Sequence, residues 1–140
     1  KVVFNAALTP LHEYYSINTH LFYLNCKRLL TPGLDVFGVF GTTGEANAFK
    51  IDEKIDSIEY LINSNISSDI LIPGTGQCSI TDTINFTKRC SELKVKAVLV
   101  LPAFFYKGVS DEGVIEYYKS IIEEVGDNNI HYSIYHIQQN

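Results

Sequence analysis

Short apolar segments alternate with amphipathic segments along the 140 residues, and this alternation limits the fold more than any other feature. Five apolar segments, rich in β-branched and aromatic residues, read as strands: residues 2–8, 34–40, 70–73, 97–101 and 132–137. Four segments between them have apolar residues at helical spacing: residues 16–30, 51–62, 79–93 and a helix starting at 110 or 111 and reaching 125. Because nearly continuous apolar strands are covered on both faces, the pattern predicts a parallel α/β sheet.

Two architectures share this alternation. One is a complete five-stranded doubly wound sheet of the flavodoxin type. The other is just over half of a (β/α)8 barrel. Periodicity does not separate them, but in both the functional site lies at the carboxyl ends of the strands, so the residues that follow each strand are the informative ones.

Composition excludes several classes of function. The net charge is −5 and the Lys and Arg residues are scattered, which argues against nucleic acid and anionic membrane surfaces as partners. No apolar run approaches the roughly 20 residues needed to span a bilayer. Cys26, Cys78 and Cys90 form no Cys-x-x-Cys pair, and we interpret them as reduced thiols of a cytosolic protein. The four histidines lack metal-binding spacing, so no metal site is expected.

Two glycine-containing loops follow predicted strands. Residues 41–45 read Gly-Thr-Thr-Gly-Glu, and backbone N–H groups converging between two glycines suit a small anion such as a 2-oxo acid carboxylate. An ordinary strand-to-helix turn is the alternative interpretation of this loop. Residues 74–79 suggest a dinucleotide loop, but Ser79 stands at the third glycine position and no acidic residue follows the next strand, so a nicotinamide site is not expected.

Tyr135 lies at the end of the last apolar strand. Its hydroxyl can move a proton to and from a substrate oxygen. The alternative is a core aromatic residue whose hydroxyl reaches water at the rim.

Together these residues resemble the dihydrodipicolinate synthase / N-acetylneuraminate lyase family of class I pyruvate-type aldolases. The matching segments, in order, are residues 9–10 (Thr-Pro), 41–45, 74–76 (Gly-Thr-Gly), 101–113 and 134–137 (Ile-Tyr-His-Ile). The resemblance implies a (β/α)8 TIM barrel, with residues 1–140 as the N-terminal part of that single domain and an end before the sixth strand.

The resemblance also implies a chemistry. In this family a lysine on the sixth strand forms a Schiff base with a 2-oxo acid such as pyruvate, and the enamine then reacts with an aldehyde partner. Thr43, with the backbone at Gly41 and Gly44, would bind the carboxylate, and Thr42 would join a hydroxyl relay. Tyr135 would be the acid/base. The resemblance implies a cytoplasmic homotetramer. It implies no metal or organic cofactor.

Several positions depart from the family pattern. The lysine is absent, because Lys107 does not occupy its place, so the 140 residues alone are predicted to be inactive. The relay tyrosine of the fourth loop corresponds to Phe105 or Tyr106, and only Tyr106 has the hydroxyl. Gln138 replaces the usual proline, and the arginine of lysine-pathway synthases is missing near Asn140.

Three functions therefore stay open. The first is a dihydrodipicolinate synthase-like enzyme. The second is an N-acetylneuraminate lyase or 2-keto-3-deoxy sugar-acid aldolase of the same family. The third is non-catalytic: either a binding or regulatory protein that keeps the barrel fold without the lysine, or a flavodoxin-like binding domain. Five strands of a barrel would leave open edges and an uncovered inner face, so the isolated piece is expected to aggregate.

Overall fold

The computed structural model describes residues 3–135, which form five strands and four α-helices in strict alternation. The elements are β1 (Phe4–Ala6), α1 (Thr19–Leu29), β2 (Val36–Val39), α2 (Ile51–Asn63), β3 (Leu71–Pro73), α3 (Ile80–Glu92), β4 (Ala97–Val100), α4 (Asp111–Val125) and β5 (His131–Ile134). Short 3-10 turns at Ala46–Ala48 and Ser68–Ile70 precede α2 and β3. The predicted number and order of elements within these residues are confirmed.

All strand pairs are parallel and neighbours in space are neighbours in sequence. β2 pairs with β1 on one side and with β3 on the other. β4 pairs with β5, and a parallel bridge between Gly74 and Leu99 joins the end of β3 to β4. This sequential order is that of an open section of a TIM barrel. It contradicts the flavodoxin-type alternative, in which β1 would lie between β2 and β3.

The core lies between the sheet and a layer of helices that pack in sequence order, α1 on α2, α2 on α3 and α3 on α4. Side chains alternate along each strand because the pleat has a period of two residues. Phe37, Val39, Val98 and Val100 point into this core and are fully buried. Their neighbours Gly38 and Leu99 lie on the opposite face, which corresponds to the inside of a barrel, and the barrel is not closed within residues 3–135.

Helix α1 begins later than its sequence pattern predicts. The apolar spacing indicated a start at Ser16, but Ile17 forms an antiparallel bridge with Leu11 and the side chain of Asn18 accepts a hydrogen bond from the Leu21 amide. The helix therefore starts at Thr19, with Asn18 as its N-cap. Ser79 and Ser110 are the N-caps of α3 and α4, and their hydroxyls accept hydrogen bonds from the amides of Asp82 and Gly113.

The described part of the chain has no helix that is both long enough and apolar enough to cross a bilayer. In residues 3–135, no three His, Cys, Asp or Glu side chains cluster in a way that would hold a metal ion. Cys26, Cys78 and Cys90 are free thiols, and Cys78 is the exposed one of the three.

Candidate functional site

A cavity of about 110 Å³ lies at the carboxyl ends of the strands. It is lined by five of the six residues predicted for the site, namely Gly41, Thr42, Thr43, Gly44 and Tyr135. Its floor comes from the inner face of the sheet, with Phe4, Ala6 and Gly38 among the contributing residues. The loop after β2 and the end of β5 therefore line the same cavity, although β3 and β4 lie between these two strands.

The loop of residues 41–45 is a tight turn held by its own backbone. The amides of Gly44 and Glu45 donate hydrogen bonds of 3.1 Å each to the carbonyl oxygens of Gly41 and Thr42. The Thr42 and Thr43 amides donate to no protein acceptor within residues 3–135. These two N–H groups, on residues that line the cavity, are therefore free for an anion, whereas the Gly44 amide is used inside the turn.

Two residues with positive φ flank this turn. Phe40 has φ +56° and Glu45 has φ +55°, and both values are uncommon for residues with a side chain. The Phe40 ring is buried against Phe22 at a centroid distance of 5.3 Å, which holds the strained residue in place. The chain thus changes direction sharply on both sides of the two threonines, and backbone strain of this kind is common at functional sites.

The segment that follows β1 anchors the turn. The buried hydroxyl of Thr9 donates a hydrogen bond of 2.7 Å to the carbonyl oxygen of Gly44. A Cβ atom on Gly44 would lie 3.0 Å from the carbonyl oxygen of Ala7 and 3.1 Å from the Thr9 hydroxyl. Gly44 therefore contributes to the site by allowing this close contact rather than by offering a free amide.

Tyr135 reaches the cavity from β5. Its amide donates a hydrogen bond of 3.1 Å to the carbonyl oxygen of Val100, which continues the pairing with β4 one residue past the last assigned strand residue. The side chain is 45% exposed and lines the cavity. The hydroxyl relay predicted for Thr42 and Tyr135 thus has both members at one cavity. Gln138 and Asn140, which depart from the family pattern, lie outside the described residues, as does His136.

Tyr106 is separated from the other five predicted residues. It does not line the cavity, and it is 76% exposed on the loop between β4 and α4. Its neighbour Phe105 is exposed as well, and the two rings meet edge to face at 5.2 Å. Both aromatic residues therefore protrude from the rim and could serve the site only from a distance or in another subunit.

Sequence reasoning did not single out Lys54, which is 0% exposed on α2. Its ammonium donates hydrogen bonds to the carbonyl oxygen of Ala46 at 3.2 Å and to Gln77 Oε1 at 3.4 Å. Burial lowers the pKa of this ammonium to about 8, partly opposed by the Asp82 carboxylate. The sequence did contain an indication that Lys54 is buried: Lys54 and Ile58 are four residues apart and therefore lie on the same buried face of the helix.

Glycines also let the loop after β3 pack tightly into the rim. A Cβ atom on Gly76 would lie 2.6 Å from the amide nitrogen of Leu101, and one on Gly74 would overlap the carbonyl oxygen of Phe40. Thr75 between them is fully buried, with its hydroxyl oxygen 2.9 Å from that of Thr87. This loop is therefore in direct backbone contact with the ends of β2 and β4.

Comparison with known proteins gives a consistent result. The model of the Dihydrodipicolinate synthetase family matches residues 1–138. The 4-hydroxy-tetrahydrodipicolinate synthase of Bacillus subtilis is 31% identical over 122 residues, covering 87% of this chain and 42% of the relative. An uncharacterised DapA-like lyase of Chloroflexus aurantiacus is 31% identical over 140 residues, covering 98% and 46%. The chain thus spans less than half the length of the curated relatives it matches.

Solved structures show the same fold. The crystal structure of dihydrodipicolinate synthase from Agrobacterium tumefaciens superimposes with a TM-score of 0.91 at 22% identity, covering 97% of this chain and 47% of that one. The N-acetylneuraminate lyase of Proteus mirabilis gives a TM-score of 0.81 at 26% identity, covering 96% and 46%.

Proposed function

Because the chain belongs to the dihydrodipicolinate synthetase family, we propose that the full-length protein is a Schiff-base-forming lyase or synthase that acts on pyruvate or a related 2-oxo acid with an aldehyde partner. Within that class, we propose a dihydrodipicolinate synthase-like activity, the name carried by the Bacillus subtilis relative at 31% identity.

One observation carries the proposal: the Gly-Thr-Thr-Gly turn and Tyr135 line the same cavity. The amides of Thr42 and Thr43 have no protein acceptor within residues 3–135, and both residues line the cavity. Oriented N–H groups bind a carboxylate well. We therefore assign carboxylate binding to Thr43, with the backbone of Gly41 and Gly44 shaping the turn.

Proton transfer is assigned to the hydroxyl groups. Tyr135 would act as the acid/base during imine formation and carbon–carbon bond chemistry, with Thr42 as its partner in the relay. Tyr106 would contribute only from the protruding loop, and this role requires a neighbouring subunit, as in the homotetramer that the family resemblance implies. The nucleophilic lysine would come from the sixth strand, so residues 1–140 alone would be inactive.

Trapping the imine tests the proposal. Full-length protein is incubated with pyruvate and sodium borohydride, and intact-mass spectrometry follows the gain of one reduced pyruvyl group. We expect one adduct per chain, none without pyruvate and none on the isolated residues 1–140. Thr43→Val should raise the pyruvate concentration that gives half-maximal trapping about tenfold, because it removes the Thr43 hydroxyl as a donor to the carboxylate while the backbone amide stays. Absence of an adduct on the full-length protein would refute the proposed chemistry.

A sugar-acid aldolase of the same family is the second candidate. The sequence favours it at the positions after Tyr135, where Gln138 replaces proline and no arginine occurs near Asn140. The two candidates differ in the aldehyde, so a comparison of condensation with aspartate semialdehyde and cleavage of N-acetylneuraminate or 2-keto-3-deoxygluconate separates them. Three free thiols suit a reducing compartment, and we include a cytoplasmic location in the proposal.

A further inference from the structure

Lys54 is a buried cation that the proposed chemistry does not use. Its side chain crosses from α2 to the rim, where the ammonium meets an oxygen atom from each of two loops. The third neighbour is the ring of Phe86, whose centroid lies 5.2 Å from the ammonium. A buried ammonium is costly unless polar groups satisfy it, so these contacts indicate a fixed arrangement rather than a flexible surface lysine.

The two oxygen atoms belong to different parts of the site. Ala46 directly follows the residues 41–45 turn, and its amide donates a hydrogen bond of 3.3 Å to the carbonyl oxygen of Gly41. Gln77 lies in the loop after β3. Lys54 is thus the side chain that joins the end of the anion-binding turn to the next loop along the rim.

Gln77 is itself held from the opposite side. Its amide nitrogen donates to the Thr83 hydroxyl at 2.9 Å, and its side-chain Nε2 donates to the carbonyl oxygen of Gly76 at 2.9 Å. The Tyr117 hydroxyl donates to the carbonyl oxygen of Gln77 at 3.4 Å, which adds a tie to α4. Lys54 therefore connects the turn to a loop that α3 and α4 already fix in place.

We propose that Lys54, through Gln77, is a positioning residue that holds the residues 41–46 segment in the geometry that binds the substrate carboxylate. This inference rests on the proposed function, because it assumes that a 2-oxo acid binds at the turn. Lys54 itself touches no substrate. Removing it should leave the reacting groups in place but let the free amides of Thr42 and Thr43 drift from their orientation, which weakens binding more than it slows chemistry.

The test uses the full-length protein and four variants: Lys54→Met, Lys54→Arg, Gln77→Leu and Lys119→Met. Lys54→Met removes both hydrogen bonds while keeping a long apolar stem, and Lys54→Arg keeps the charge and donors. Lys119→Met is the matched control, since Lys119 is an exposed lysine on α4. The rate of borohydride trapping is measured against pyruvate concentration, and hydrogen exchange is measured on the peptide covering residues 41–48.

We expect Lys54→Met to raise the half-saturating pyruvate concentration about tenfold, with the trapping rate at saturation within about threefold of the unmodified protein. Lys54→Arg should recover most of this loss, and Gln77→Leu should give a smaller increase in the same direction. Lys119→Met should change neither value. Exchange of the 41–48 amides should quicken in Lys54→Met and not in the control.

Unchanged half-saturation in both Lys54→Met and Gln77→Leu, with unchanged exchange at residues 41–48, would overturn the positioning role. Equal losses in rate and half-saturation that Lys54→Arg does not recover would overturn it too, because they indicate general damage. If Lys54→Met does not fold, the half-saturating pyruvate concentration and the hydrogen exchange of Gln77→Leu decide whether the positioning role holds. Failure of the unmodified protein to form any adduct refutes the proposed function instead, and the hydrogen-exchange comparison then still decides whether Lys54 orders the turn.

Discussion

The hydroxyl of Thr9 and the carbonyl oxygen of Gly44 are joined by a buried hydrogen bond of 2.7 Å across 35 residues of chain. The bond ties the segment after β1 to the turn that lines the cavity. Thr9 is buried, and the loss of its hydroxyl would leave the Gly44 carbonyl oxygen without this donor. The Thr9–Gly44 hydrogen bond therefore contributes both to the stability of the fold and to the shape of the candidate site.

Thr9→Val should lower the free energy of unfolding of the full-length protein by about 1–3 kcal/mol, because a buried acceptor loses its partner while the volume stays nearly constant. Urea denaturation followed by circular dichroism measures the change. Thr31→Val, at an exposed position, is the control and should shift the free energy by less than about 0.5 kcal/mol. Equal effects at both sites would contradict a role for the Thr9–Gly44 bond.

Gly76→Ala should destabilise the protein strongly, by more than about 3 kcal/mol, or prevent folding. The added Cβ would lie 2.6 Å from the amide nitrogen of Leu101, and backbone atoms cannot yield as a flexible side chain does. Gly41→Ala is the matched control, because its Cβ would meet nothing within 4 Å. The melting temperatures of the two variants are compared with that of the unmodified protein. A similar decrease in both would contradict the claim that Gly76 is needed for the close approach of its loop to the end of β4.

Tyr135→Phe should reduce the proposed lyase or synthase activity by about 10²–10⁴-fold with little change in stability, since removal of a general acid/base has effects of that size. Steady-state kinetics with pyruvate and the productive aldehyde provide the measurement. Tyr106→Phe is the informative comparison, because its ring is exposed and away from the cavity. A kcat for Tyr135→Phe within a factor of two of the unmodified protein would remove Tyr135 from the mechanism.

The stability of the protein relative to its Lys54→Met variant should increase as pH rises from 7 to 10. Burial holds the pKa of Lys54 at about 8 in the folded chain, below the 10.5 of an ordinary lysine, with Asp82 opposing the shift. Between these values the unfolded chain binds more protons than the folded one, so the free energy of unfolding grows with pH, here by about 1–3 kcal/mol. Urea denaturation of both proteins across this range measures the difference, and a flat or falling difference would contradict it.

Brief treatment of the native protein with iodoacetamide at pH 7.5 should alkylate Cys78 and spare Cys26 and Cys90. Cys78 is exposed, whereas burial raises the pKa of both other thiols to about 12, which leaves almost no reactive thiolate. Peptide mapping by mass spectrometry reads out each cysteine separately, and the same treatment in urea should alkylate all three. Rapid native labelling of Cys90 would show that α3 opens far more readily than its burial implies.

The architecture was predictable because periodicity is a local property. Ile55 and Ile58 mark the buried face of α2, and the caps Ser79 and Ser110 directly precede their helices. Local periodicity could not distinguish a barrel from a doubly wound sheet, because strand order depends on pairing between segments that are distant in sequence. It came instead from the loop residues that resemble a known family.

The candidate site was predicted in part. Residues 41–44 and Tyr135 follow strands, and a parallel sheet brings such positions to one edge. The Thr9–Gly44 bond and the burial of Lys54 were not foreseen, because each depends on how loops distant in sequence pack together. The late start of α1 was missed for a similar reason: the bridge between Leu11 and Ile17 overrides the helical spacing.

The first three loops of the rim are locked to one another by backbone contacts at Gly44, Gly74 and Gly76, whereas the loop that carries Phe105 and Tyr106 projects into solvent. Selection can therefore act on the two kinds of loop in different ways. Substitutions in the locked loops disturb their neighbours at once and will be removed over generations. The projecting loop can accumulate changes at little cost to folding, because its two aromatic side chains are exposed.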